Sequence, residues 1–290
     1  MTASALAVRN DREFVFTTAD FERIRKLIYQ HAGISLAPGK QEMVYSRLAR
    51  RLRVRGLVRF TEYLELLENG DAGEWEAFVN SLTTNLTSFF REAHHFPVLA
   101  EHAQRCWRER RQSLRLWCCA SSTGEEPYSM AITMLEAFPG MAPPVSIVAT
   151  DVDTNVLARA ESGVYSADRV DKMSPERLRR FFLKGAGANA GTVKVRPELR
   201  ALVTFRRLNL LDARWPIDGP FDAIMCRNVM IYFDKPTQRR ILEKFAPLLR
   251  ADGLLFAGHS ESLFHTADLF HLRGKTVYEL TRRAAAPAKE

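Results

Sequence analysis

From Leu114 onward, short apolar runs alternate with amphipathic stretches, and this alternation constrains the fold more than any other feature. LRLWCCAS precedes a helical stretch after Gly124, VSIVATD precedes TNVLARAESG, and FDAIMCRN precedes PTQRRILEKFAPLLR, with GLLFAGHS near the end. Runs that are apolar throughout, each followed by a helix, predict a parallel sheet covered by helices on both faces. One stretch breaks the rhythm. RRFFLKGAGANAGTVKVRPELRALVTFRRLNL holds period-2 runs around a loop containing Gly185, Gly187 and Gly191. It predicts an antiparallel hairpin or three-stranded insert at about 176–207.

Residues from about Phe14 to Ala77 have helical texture instead. Thr17, Thr18 and Asp20 offer N-caps before Phe21, Ile24, Leu27 and Ile28, which recur at helical spacing up to Gly33. A second helix is expected from near Pro38 to Val54, a third over FTEYLELLENG and a fourth over EWEAFVNSLT. The 290 residues therefore divide into an all-α domain, 1–78, and an α/β domain, 79–290.

The first α/β turn reads Cys119-Ala-Ser-Ser-Thr-Gly-Glu-Glu-Pro-Tyr128. In an open parallel sheet, ligands bind at the carboxyl ends of the strands, and this turn is the usual place. A dinucleotide site would put G-x-G-x-x-G here to bring backbone N–H groups onto a pyrophosphate. One glycine and two carboxylates, Glu125 and Glu126, stand here instead. They would repel a phosphate and suit a ligand carrying an ammonium and a sulfonium. S-adenosylmethionine is such a ligand. The competing reading is that both glutamates only favour the positive end of a helix. Asp151, ending VSIVATD, is placed to accept from ribose hydroxyls, whereas Asp153 can cap the next helix.

Five segments together then carry a resemblance: LTTNLTSFFREAHHFPVL, SSTGEEPYS, ATDVDTNVL, FDAIMCRNVMIYFD and GHSESL. In order and spacing they resemble the CheR family of chemotaxis receptor methyltransferases, over about Phe14 to Arg283. The resemblance implies a Rossmann-like S-adenosylmethionine methyltransferase sheet with a small antiparallel β insert, preceded by an all-α domain. It implies methyl esterification of glutamates on the cytoplasmic helical bundle of chemoreceptors, with S-adenosylhomocysteine as product. Asn85, Thr87 and Arg91 resemble the residues that close over cofactor and acceptor. Glu126, with Glu125 beside it, and Asp151 resemble the methionine-end and ribose contacts. Asn209 and Leu210 resemble the adenine side, Arg227 and Asn228 the strand-end shelf, and Tyr232 an aromatic near the transferring methyl. Arg91 and Tyr232 are the expected catalytic pair; the alternative for Arg91 is an ion pair with Glu92 or Glu101.

The formal net charge of +8 is concentrated. Between Lys40 and Arg59 stand seven basic residues and one acid, Glu42. On a helical wheel Tyr45, Leu48, Ala49 and Leu52 share an apolar arc, while Lys40, Arg47, Arg50, Arg51 and Arg55 share another. Such a stripe is usually a solvated face; without interleaved acids it suits an acidic partner such as a glutamate-rich receptor bundle. The glycine loop of the insert resembles that of members that tether a receptor's C-terminal peptide by strand addition.

Rival readings are a nucleic-acid methyltransferase and a non-catalytic S-adenosylmethionine or S-adenosylhomocysteine scaffold. Against the first, C-R-N-V-M-I-Y-F stands where amino-group methyltransferases carry [DNS]-P-P-[YF], and only Tyr45 interrupts the basic stretch with a base-stacking side chain. Against the second, Arg91, Glu126 and Asp151 are all present. No metal is expected, because the seven histidines lack ligand spacing and the adjacent His94 and His95 do not share a helix face. Cys106, Cys118, Cys119 and Cys226 form no CxxC pair and are expected as buried free thiols. No apolar run approaches the ~20 residues of a membrane span, and the start lacks a secretory leader. A cytoplasmic monomer that neither enters membranes nor binds nucleic acid is expected.

Overall fold

A computed structural model describes residues 12–282 and 284. The first eleven residues, read above as lacking a secretory leader, lie outside them. The chain divides into two compact units at Leu82/Thr83.

The first unit holds α1 (Thr18–Ala32), α2 (Gln41–Arg55), α3 (Phe60–Glu68) and α4 (Ala72–Leu82). Helix α1 starts at a capping box, in which the Thr17 hydroxyl accepts from Asp20 N–H and the Asp20 carboxylate accepts from Thr17 N–H. It stops at Gly33, whose left-handed φ of 68° suits glycine. Phe21, Ile24 and Ile28 of α1, Val44, Leu48 and Leu52 of α2, Tyr63 and Leu67 of α3, and Phe78 of α4 are fully buried. The apolar arc read from α2 is thus its buried face, with Val44 deeper than Tyr45.

The second unit runs α5 (His95–Arg110), β1 (Leu114–Cys118), α6 (Glu125–Ala137), β2 (Val145–Asp151), α7 (Thr154–Ser162), β3 (Val164–Ser166), α8 (Pro175–Phe181) and β4 (Phe182–Lys184). It continues with β5 (Thr192–Val195), α9 (Pro197–Arg200), β6 (Val203–Arg207), β7 (Phe221–Cys226), α10 (Lys235–Phe245), β8 (Leu249–Ala257), β9 (Phe270–Gly274) and β10 (Val277–Leu280). Seven strands form one sheet in the order β6-β2-β1-β7-β8-β10-β9. Strands β6, β2, β1, β7 and β8 pair in parallel, and β10 joins β8 and β9 antiparallel. Alternate residues feed two cores. Leu116, Cys118, Ala223 and Met225 face the side of α5 and α6, while Trp117, Cys119, Ile224 and Cys226 face the side of α10. The winding reverses between β1 and β7, which makes a switch point at their carboxyl ends.

The expected antiparallel three-stranded insert is present, but with other bounds. Its sheet has the order β3-β5-β4, and β3 lies before residue 176. Strand β6, placed in the insert from sequence, is instead the edge of the large sheet, parallel to β2 from Ile147↔Val203 to Asp151↔Arg207. Period-2 texture marks a half-exposed strand and is silent about its partner.

Candidate active site

Past β1 the chain makes a tight turn into α6, with Ser122 at φ 47° and Gly124 at φ 97°. Gly124 is needed here, since a Cβ would fall 2.7 Å from Tyr165 Oη and 2.8 Å from Ala160 Cβ. At the end of β2 the Asp151 carboxylate accepts from Ser122 N–H at 2.8 Å and Asp153 N–H at 3.0 Å. Burial pushes this carboxyl up to about 6, against the pull of those two donors. Asp153 caps α7, accepting from Asn155 and Val156 N–H, and also accepts from Thr83 Oγ1 and Asn85 Nδ2. Asn209 and Leu210 lie just past β6; Leu208 N–H donates to Asp151 O at 2.9 Å, and Asn209 Oδ1 accepts from Leu211 N–H.

Adjacent in sequence, Glu125 and Glu126 face different partners. Glu125 accepts from Thr123 Oγ1 at 2.6 Å and pairs with Arg169, which also reaches Thr87 O. Glu126 accepts from Arg227 Nη1 at 2.9 Å and from the Cys118 thiol at 3.3 Å. The sequence reading left both negative charges to a cationic ligand; each is already matched by an arginine from a distant segment. Glu126 stays the more consequential of the two. Burial raises its carboxyl even with Arg227 beside it.

The segment after α4 carries Asn85, Thr87 and Arg91 across this edge. Arg91 Nη1 donates to Leu86 O at 2.9 Å, and no carboxylate pairs with it among the described residues, so neither Glu92 nor Glu101 is its partner. Tyr232, in the turn after β7, donates to Thr84 O at 3.5 Å. Arg227, its side chain wholly buried, contacts Glu126, Glu92 and the Arg91 carbonyl. Asn228 sits at φ 58° with its N–H donating to Glu261 and its amide to Glu92. Contacts therefore link Asn85, Thr87, Arg91, Glu125, Glu126, Asp151, Arg227, Asn228 and Tyr232 at one edge of the sheet.

Sequence reasoning gave no role to Arg169 or Glu261, and weighed Glu92 only as an ion-pair partner of Arg91. Glu92 and Glu261 stand inside the segments LTTNLTSFFREAHHFPVL and GHSESL, but Glu92 meets its partners just past β7 and β8, and Glu261 meets Asn228 just past β7. It also separated His94 from His95. With His94 as N-cap and His95 as first residue of α5, one ligand atom from each gathers with Glu92 within 4.8 Å. Arg227, Asn228 and His259 already engage that carboxylate.

In the first unit the basic stripe is less bare than its sequence suggests. Arg51 and Arg55 pair with Glu74 and Asp71, Arg53 pairs with Glu13, and Arg47 donates to Ser81 O and Leu82 O. Those acids lie outside the 40–59 window. Lys40 and Arg50 remain exposed, with no ion pair among the described residues. In the small sheet, Gly185 is held by its turn, where a Cβ would lie 2.1 Å from Asn189 O, and Gly187 and Gly191 take φ of 58° and 81°. These glycines shape the loop, while the outer sides of β3 and β4 have no strand partner among the described residues.

Two family models match the chain: "CheR methyltransferase, all-alpha domain" over residues 19–83 and "CheR methyltransferase, SAM binding domain" over 85–279. The chain belongs to the CheR methyltransferase family. It is 54% identical over 282 residues to the chemotaxis protein methyltransferase of Klebsiella aerogenes, covering 97% of this chain and 96% of that one. It is 53% identical over 277 residues to chemotaxis protein methyltransferase 2 of Pseudomonas aeruginosa, covering 96% and 98%. The Escherichia coli chemotaxis protein methyltransferase is 52% identical over 281 residues, covering 96% of each. The CheR-family chain is accordingly an S-adenosylmethionine-dependent methyltransferase.

Proposed function

We propose that this enzyme esterifies glutamate side chains on the cytoplasmic helical bundle of chemoreceptors. The observation that carries the reading is Arg91. Where Arg169 and Arg227 are matched by carboxylates, Arg91 is half-buried and among the described residues holds only the Leu86 carbonyl. It offers an unclaimed guanidinium fork to an incoming carboxylate.

S-adenosylmethionine supplies an electrophilic methyl group on a sulfonium. The residues at the strand ends fit it. Buried carboxylates at Glu126 and Asp151, both raised by burial, favour a ligand that brings positive charge and hydroxyl donors. Gly124 is the only glycine between Ser121 and Glu126, so no glycine-rich phosphate cradle competes. Glu126 would hold the methionine end, Asp151 the ribose, Asn209 and Leu210 the adenine side, and Asn85 and Thr87 the cover. Glu125, locked to Arg169, would act by fixing the turn.

A glutamate acceptor is ionised at neutral pH, with a reference pKa of ~4.3. It needs no general base, and this chain's work is to orient the acceptor and exclude water. Arg91 would hold the acceptor carboxylate, with Tyr232 beside it. Lys40, Arg47 and Arg50 would meet the acidic bundle, and the open edge of the small sheet would accept an extended receptor peptide. The setting is the cytoplasm, the enzyme acting as a monomer. Among the described residues no helix is long and apolar enough to cross a membrane.

The test is transfer of labelled methyl from S-adenosylmethionine to a receptor cytoplasmic fragment. Base-labile label released as methanol, lost about a hundredfold in Arg91→Ala, is the expected result. Base-stable label, or label on RNA, would overturn the reading.

A further inference from the structure

Four non-glycine residues along this edge take left-handed backbone: Phe90 at φ 54°, Glu92 at 53°, Ser122 at 47° and Asn228 at 58°. Such a conformation is unfavourable for a residue with a side chain and persists where its surroundings over-determine it. Two of them are tied through one side chain. Glu92 Oε1 accepts from Asn228 Nδ2 at 3.2 Å and lies 3.0 Å from His259 Nδ1, while Glu92 Oε2 lies 3.4 Å from Arg227 Nη2 without a hydrogen bond. Behind it, His95 Nε2 donates to Lys275 O at 3.0 Å, which leaves Nδ1 bare and facing Glu92 Oε2 at 3.7 Å. Burial and the Arg227 charge hold that imidazole down at about 4, so it is neutral. Burial would push the Glu92 carboxyl up, but donors from His259 and Asn228 and the Arg227 charge outweigh it and hold the group at about 2.

Arg227 therefore stands between two carboxylates, Glu126 on one side and Glu92 on the other. We infer that Glu92 is a positioning residue for the methyltransferase site: it draws the Arg227 guanidinium partly away from Glu126 and fixes the Asn228 shelf. A guanidinium shared in this way leaves Glu126 with capacity to accept from the cofactor's ammonium. If Glu92 lost its charge, Arg227 would close fully onto Glu126 and compete with that ammonium. The same carboxylate sits one residue past Arg91, so it also anchors the backbone from which the Arg91 side chain extends. A metal ion on Glu92, His94 and His95 is the weaker alternative, because the Arg227 cation already lies against the carboxylate oxygen such an ion would need.

The inference rests on the reading of Glu126 as the contact for the cofactor's methionine end. Calorimetry of S-adenosylhomocysteine binding tests both separately. Glu126→Gln is expected to weaken binding about tenfold or more, and an unchanged affinity would remove the underlying reading. Glu92→Gln is expected to weaken binding about tenfold, with the double variant no weaker than Glu126→Gln alone, because Glu92 acts through Arg227 on Glu126. His259→Ala, which removes only the exposed partner of the same carboxylate, is expected to bind within about twofold of the parent. Unchanged affinity in Glu92→Gln, or additive losses in the double variant, would overturn the inference. Should Glu92→Gln fail to fold, Glu92→Asp decides: binding within about threefold of the parent supports a charge-based role, and loss of folding or of binding overturns it.

Discussion

Arg51 grips Glu74 through two hydrogen bonds, 2.9 Å from Nε and 2.7 Å from Nη2, and Tyr63 Oη donates to the same carboxylate at 2.8 Å. The Glu74 side chain is 1% exposed, and without Arg51 its buried charge keeps only the longer contact with Arg55 Nε at 3.6 Å. Arg51→Ala is expected to destabilise the helical unit by about 3 kcal/mol, read as a lower urea midpoint. A shift below about 0.5 kcal/mol, the range of ordinary surface changes, would show that the pair contributes little.

Arg50, one residue earlier and exposed, is expected to behave in the opposite way. Lys40→Glu with Arg50→Glu is expected to leave the melting temperature within a few degrees while weakening binding to an acidic receptor fragment. The loss is expected to be larger at 50 mM than at 500 mM salt, since exposed charges are screened beyond about 10 Å at 0.1 M. Salt-independent binding by the reversed variant would move the docking surface elsewhere.

Asp151 sets a pH dependence whose sign can be worked out. Its folded value of about 6 lies above the ordinary 3.8, so the folded chain holds this proton more tightly than the unfolded one. The group favours the fold most below pH 3.8, and that contribution is lost as pH rises to about 6. Cofactor binding runs the other way, because the ionised carboxylate is the better acceptor for hydroxyls. Affinity for S-adenosylhomocysteine is expected to fall severalfold from pH 7.5 to 5.5. Asp151→Asn is expected to remove most of that fall. A flat profile in the parent enzyme would detach Asp151 from the ribose.

Gly258 offers a steric test. A Cβ there would lie 2.5 Å from Asn228 Nδ2, 2.8 Å from Glu261 Oε2 and 2.9 Å from Asn228 N. Gly258→Ala is expected to cost about 2 kcal/mol of stability and to weaken cofactor binding by displacing Asn228. Gly39→Ala, with nothing within 4 Å of the added carbon, is the matched control and should change neither. Equal behaviour of the two variants would mean that the Asn228 shelf yields without consequence.

Much of this architecture was legible because it is local. Helical spacing located α1 to α4, and apolar runs located β1, β2, β7 and β8 with the turns that end them. Asp153 reads as a cap from sequence and is one. What escaped was pairing at a distance. The period-2 run of β6 does not reveal that its neighbour is β2, and the acids that quiet Arg51, Arg53 and Arg55 lie 16 to 40 residues away. Within the candidate site the residue types were visible, but Arg169 on Glu125 and Arg227 on Glu126 span 44 and 101 residues. These ion pairs change which carboxylate is open to a ligand, and periodicity carries no trace of them.

The route from β2 to β6 has a consequence for how such a chain can diversify. These two strands are direct neighbours, closed by the bond from Leu208 N–H to Asp151 O, yet the chain leaves the sheet and returns between them. The excursion contributes Tyr165 and Arg169 to the turn that holds Glu125, then builds β4 and β5 beyond them. Nothing in the large sheet sets the length of that outer hairpin. Its loop and exposed edge, from Leu183 to Thr192, are a graft that can be rewritten while Phe182, Val193 and Val195 stay buried in the core and the carboxylates and arginines of the strand ends keep their partners.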